Sequence, residues 1–133
     1  MPSEQQMKDE LRREFERGCD LWNAAKYEEL GKGFDVDIIM KKLDDPGSVV
    51  GIGNTLVYLN SNQRSKHPQF FPVAIEKIFI WGSGTIGQVS GTAKYQDKEA
   101  DKKTTAVRFT FTYARASEDE DWLLINAFQA RAE

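Results

Sequence analysis

Between Val107 and Tyr113 apolar and polar residues alternate strictly, with Val107, Phe109, Phe111 and Tyr113 on one side and Arg108, Thr110 and Thr112 on the other. A period of two is what a half-buried strand demands. Thr104–Tyr113 and Asp121–Ala130 are therefore predicted as the two long strands of one hairpin. Ala116–Asp121, too charged for a core, is the turn between them. The Trp122–Phe128 stretch of the second strand is largely apolar on both faces, with Asn126 as the exception. A strand with one solvated face does not read this way, so this one is expected to touch both the core and a partner subunit.

Upstream the period changes. Met7, Leu11, Phe15, Cys19 and Trp22 recur at helical spacing, with charged residues opposite, and predict a long amphipathic helix over Glu4–Ala25. Ser3 with Gln6 three residues on reads as its capping box. Gly18 interrupts the helix at a cost of about 1 kcal/mol relative to alanine. Its smallness is expected to serve close helix–sheet packing or a cavity. A short helix follows over Lys26–Leu30, ended by Gly31-Lys32-Gly33. Val36–Leu43 reads as a strand, Asp44–Gly47 as a turn and Val49–Ile52 as a further short strand. Asn54 is placed to cap a helical turn over Thr55–Ser61 that buries Leu56 and Leu59.

Asn62–Pro72, mostly polar and holding two prolines, is expected to be a loop from which Phe70 and Phe71 dock onto the core. Val73–Trp81 and Thr85–Tyr95 form a hairpin through Gly82-Ser83-Gly84. Gln96–Lys103 is a charged connection. Helices first and antiparallel strands afterwards predict one α+β domain spanning residues 1–133, with the helices on one face of a curved sheet.

Composition narrows the function classes. The 133 residues, 40% hydrophobic and 29% charged, suffice for a core without metal or disulfide support. A net charge of -3 argues against nucleic acid as a partner, which needs a clustered basic face. No stretch approaches the roughly 20 apolar residues of a membrane span. The opening Met1–Gln6 lacks the charged and apolar regions of a signal peptide. The single Cys19 cannot form an intramolecular disulfide, so a reducing, cytoplasmic location is expected. The single His67 precedes Pro68 in a polar loop, and with one cysteine the chain offers no metal site. Neither Gly82-Ser83-Gly84 nor Gly51-Ile52-Gly53 has phosphate-binding spacing, and no cofactor is expected.

Three segments carry a resemblance to a family. Leu21–Leu30, with Phe34 and Asp37-Ile38-Ile39, is similar to the end of helix one, short second helix and first strand of the superfamily that includes nuclear transport factor 2, SnoaL-like polyketide cyclases and ketosteroid isomerase. Val50–Asn54 with Leu56 and Leu59 resembles its glycine-led third helix. Arg108–Tyr113 and Trp122–Asn126 resemble its final hairpin. The nearest likeness is to small SnoaL-like proteins related to the association domain of calcium/calmodulin-dependent kinase. The resemblance implies a cone-shaped curved antiparallel sheet, cystatin-like, with N-terminal helices on its concave face. It also implies a conical pocket and homodimers formed through the sheet.

Anchored on Trp22–Ala25, the resemblance to ketosteroid isomerase puts its tyrosine donor at Gly18 and its aspartate base near Lys42. A slip of two residues brings Asp44 to the base position. Steroid-isomerase chemistry is therefore not expected. For another acid–base reaction Asp37 is the candidate, because burial among Val36, Ile38 and Ile39 would favour proton abstraction; the alternative puts it on a solvated strand edge. Trp22, Tyr27, Tyr58, Arg108, Asn126 and Phe128 are the candidate ligand-binding residues. Arg108 either meets a carboxylate ligand or pairs with an acid on the outer face. Asn126 either orients a ligand or satisfies nearby backbone.

Two functions remain open. One is a small hydrophobic-ligand pocket, isomerase, cyclase or hydratase-like. The other is a non-catalytic homodimerisation or association module whose cone is filled by its own side chains.

Overall fold

The computed structural model describes residues 3–41, 47–60, 69–96 and 104–132. Helix α1 spans Glu4–Asn23 and buries Leu11, Phe15 and Cys19. Its capping box closes as the sequence predicts. Ser3 Oγ accepts from the Gln6 amide at 3.1 Å, and Gln6 Oε1 accepts from the Ser3 amide at 2.7 Å. The helix stops short of Ala25 because Ala25 adopts a left-handed φ of 58°. The Ala25 and Lys26 amides then donate to the Trp22 and Leu21 carbonyls at 3.0 and 2.9 Å, the paired bonds of a Schellman ending.

Short helix α2 (Tyr27–Gly31), strand β1 (Phe34–Lys41), strand β2 (Ser48–Val50) and helix α3 (Ile52–Tyr58) follow. Strands β3 (Gln69–Trp81), β4 (Ile86–Gln96), β5 (Thr104–Ala114) and β6 (Leu123–Arg131) complete the chain. They form one six-stranded sheet in the order β2-β1-β6-β5-β4-β3. The fold is α+β, with α1 packed on one face of a curved sheet. The sheet is mixed rather than purely antiparallel, because β1 and β6 run parallel. The final hairpin sets the direction of β6, which then slots between β5 and β1.

One boundary differs from the sequence expectation in a way that shapes the interior. Phe70, Phe71 and Pro72 belong to β3, not to a preceding loop. Asn23, at the end of α1, fastens the start of this strand. Its carboxamide donates to the Phe70 carbonyl at 2.9 Å and accepts from the Phe70 amide at 2.7 Å. Pro72 is tolerated because β3 is an edge strand. Register shifts at Pro72/Ala74 and Ile75/Lys77 bend β3 and help curve the sheet around α1.

The core lies between α1 and the concave face. Phe15 stacks on Phe109 with ring centroids 5.1 Å apart, and Phe70 meets Phe109 edge-on at 5.8 Å. Aromatic pairs of this kind stabilise by about 1 kcal/mol beyond the area they bury.

Candidate functional site

Strand parity decides which side chains look into the space between helix and sheet. On β5 the alternation read from the sequence turns Val107, Phe109, Phe111 and Tyr113 inward. On β4 the buried positions include Val89 and Ala93, and Tyr95 shares their parity. On β6 the parity switches. Thr112 faces Asn126, yet the next residue, Tyr113, faces Leu124, so one residue of β6 is extra. Leu124 points inward before this bulge and Ala127 and Gln129 after it, while Asn126 and Phe128 are turned to the other face.

These elements enclose a cavity of about 70 Å³. Gly18, Cys19 and Trp22 of α1 form one wall. Phe70, Tyr95, Phe111, Tyr113, Ala127 and Gln129 form the sheet wall. The space reaches α1 at Gly18, the position without a side chain. An added Cβ there would meet only Leu30 Cδ1, at 3.7 Å. Close packing therefore does not account for this glycine; the cavity does.

The polar groups in the wall are few and neutral. The Tyr95 hydroxyl donates to Gln129 Oε1. Burial raises the Tyr95 phenol above its ordinary range, and this hydrogen bond opposes the shift. Burial also raises the Tyr113 phenol, helped by Cys19 and Glu14 and opposed by Arg17. Burial, then the Asp20 and Glu16 carboxylates, pushes the Cys19 thiol up to about 12. A thiol held protonated is a poor nucleophile. Among the described residues no Asp, Glu, His, Lys or Arg lines the cavity.

The residues singled out from the sequence fall on different sides of this wall. Trp22 lines the cavity, and Tyr27 is buried behind it with ring centroids 5.8 Å apart. Tyr58 is half-buried against the same core cluster, outside the cavity wall. Arg108 projects from the outer face and pairs with Glu76 at 3.1 Å. Asn126 and Phe128 lie outside the cavity because of the β6 bulge, and Phe128 is 41% exposed.

Asp37 is also exposed, its amide donating to Asp35 Oδ2 at 2.9 Å. The reason is local. On β1 the buried positions are Phe34, Ile38 and Met40, so plain alternation turns Asp37 to the opposite face, and the β1–β6 register break between Phe34 and Ile39 leaves Val36 exposed as well. Lys42, Asp44 and His67 lie outside the described residues. Tyr95, Tyr113 and Gln129 were not singled out. Inward parity marks both tyrosines, whereas Gln129 becomes visible only with the bulge in place. Among the described residues no cluster of His, Cys, Asp and Glu is placed to hold a metal ion. No helix among them is long and apolar enough to cross a membrane.

Solved structures share this architecture. A protein of Xanthomonas campestris, provisionally assigned as a calcium/calmodulin dependent protein kinase II association domain, superposes with a TM-score of 0.74 at 13% identity, over 89% of this chain and 82% of its own. An uncharacterised protein with a cystatin-like fold from Caulobacter vibrioides gives 0.77 at 12% identity, covering 94% and 89%. A ketosteroid isomerase-like protein from Erwinia carotovora atroseptica gives 0.75 at 10% identity, covering 95% and 96%. No protein-family model matches the sequence, and no curated protein sequence matches it significantly. At these identities the likeness is one of fold. The chain has the cystatin-like, nuclear-transport-factor-2-like architecture that the sequence resemblance implies.

Proposed function

We propose that this protein binds a small, uncharged, largely apolar molecule in the cavity under α1. The observation that carries this reading is the cavity wall itself. It combines aromatic surface with a few hydroxyl, thiol and carboxamide groups, all of them neutral at physiological pH. Such a lining suits an apolar ligand oriented by one or two hydrogen bonds. With no ionised base in the wall among the described residues, binding is favoured over proton abstraction.

Gly18 provides the test. Gly18→Ala is expected to raise stability by about 1 kcal/mol through helix propensity, since the methyl group has room. Gly18→Met is expected to fill the cavity with a side chain that adapts its shape. Thermal denaturation with and without a panel of small aromatic ketones reads both. The wild type and Gly18→Ala should be stabilised by ligand, and Gly18→Met should not. Ligand stabilisation that survives in Gly18→Met would overturn the assignment of the cavity.

The outer face of the sheet supports a homodimer as part of the same reading. Phe128 stands there opposite Thr110, and Ile125 and Leu123 are only half-buried. Phe79 stacks on Trp81 at 5.2 Å, and Trp81 pairs with the exposed Ile86. A second copy covering this face would remove the apolar surface from water. Phe128→Glu is expected to shift the protein from dimer to monomer in light scattering, with ligand binding kept. A wild-type monomer at all concentrations would sink the dimer.

A further inference from the structure

We infer that Tyr113 orients the ligand: its hydroxyl donates to the oxygen of an uncharged carbonyl compound, in a cavity whose described lining offers no counter-charge to the corresponding carboxylate. This rests on the reading that the cavity takes a ligand at all. Tyr113 is 4% exposed, lies opposite Leu124 and contributes to the cavity wall. The other tyrosine of the wall, Tyr95, has its hydroxyl committed to Gln129. The Tyr113 hydroxyl has no hydrogen-bond partner among the described residues. The fully buried unpartnered atoms do not include this hydroxyl, so it opens onto the cavity, where an acceptor brought by a ligand can take its hydrogen bond. Burial is the largest influence on this phenol, and the others come from α1, where Cys19 and Glu14 oppose ionisation and Arg17 favours it. The group therefore stays a donor across the physiological range.

The charge of the ligand follows from where the arginines are. Arg17 is engaged with Glu14 at 2.7 Å. Arg108 is on the outer face with Glu76, and Arg115 is held by Glu10 and the Gly84 carbonyl. None of the three lines the cavity. A carboxylate would lose its hydration and gain no counter-charge from the described residues. A ketone or an ester of the same shape loses little and recovers one hydrogen bond.

Three probes of one skeleton test this on the full chain: acetophenone, α-methylstyrene (a methylene group in place of the carbonyl oxygen) and benzoate. Titrations followed by calorimetry are expected to give the ketone about tenfold tighter binding than the alkene, the worth of one net hydrogen bond. Benzoate is expected to bind at least about tenfold more weakly than the ketone at neutral pH. Tyr113→Phe, which keeps the ring, should raise the ketone Kd about tenfold and leave the alkene Kd unchanged. The carbonyl stretch of bound acetophenone should move to lower frequency in the wild type and not in the variant, a readout that altered packing would not mimic. Equal binding of ketone and alkene, or a carbonyl band indifferent to Tyr113→Phe, overturns the inference and leaves the cavity reading intact. Failure of all three probes to bind overturns both.

Discussion

Gly91→Ala is expected to cost about 4 kcal/mol, an effect large enough to leave little folded protein in a domain of ordinary stability. Gly91 is buried on β4 and pairs with Ile75 of β3. A Cβ at this position would lie 2.0 Å from the Ala74 carbonyl oxygen, 3.0 Å from its carbon and 3.1 Å from Ile75 Cα. All three are backbone atoms, so no rotamer change can make room. They come this close because β3 is out of register on both sides of Ala74 and Ile75, and its bend carries the Ala74 carbonyl over β4. Alanine would have to push the edge strand off the sheet. That would disturb the Phe70 anchorage and the cavity wall together.

Denaturant titration of Gly91→Ala measures the loss as a lowered midpoint. Gly53→Ala on α3 is the control. Nothing lies within 4 Å of the added methyl group there, so a gain of up to about 1 kcal/mol is expected from helix propensity. A Gly91→Ala variant within about 1 kcal/mol of the wild type would show that β3 yields more easily than its bulges suggest.

Local pattern made the scaffold legible. The helical stripe through Leu11, Phe15 and Cys19 and the alternation from Val107 to Tyr113 both matched the faces that are buried. Glycine at position 18 marked either a close approach or a cavity, since a helix interior otherwise disfavours it, and only the space around it decides for the cavity. The candidate site was less legible because bulges leave no periodic trace. A straight reading of β6 puts Leu124, Asn126 and Phe128 on one face; a single extra residue separates Leu124 from the other two. On β1 the break before Ile39 exposes Val36, although it shares the parity of the buried Phe34, Ile38 and Met40. Phe70 looked like part of a loop because its anchor, Asn23, is 47 residues away in sequence. The Tyr95–Gln129 bond spans 34 residues and depends on the β6 bulge. Parity alone, followed two residues past Tyr113, also turns Arg115 inward, where a charged residue beside an acidic turn reads as solvated.

Arg115→Ala is accordingly expected to remove about 3 kcal/mol of stability, although its charge sits beside the turn. The side chain is 1% exposed. Its Nε donates to the Gly84 carbonyl at 2.8 Å, and its guanidinium carbon lies 3.9 Å over the Trp122 ring. The acceptor belongs to a turn in which Gly82, Ser83 and Gly84 all take left-handed φ values of 57°, 59° and 86°, so its carbonyl has few other ways to find a donor. Losing that bond costs about 1 kcal/mol, and uncovering Trp122 while opening a void at the buried stem costs about 2 more.

The ion pair to Glu10 at 3.3 Å adds little, because Glu10 is 40% exposed. Working against the arginine, its Nη2 and the Trp122 Nε1 are both buried without a partner among the described residues. A guanidinium so incompletely satisfied is a modest stabiliser for its charge and a good one for its bulk. Arg115→Met, which keeps an unbranched stem against Trp122 and removes the charge, is therefore expected to cost only about 1 kcal/mol. Thermal and denaturant unfolding of the two variants separate the contributions. If methionine is as damaging as alanine, the Gly84 bond carries the stability; if methionine equals the wild type, the charge contributes nothing net. A loss under about 1 kcal/mol for alanine would mean that the cluster tying α1, the glycine turn and the final hairpin together is not a fastening of this fold.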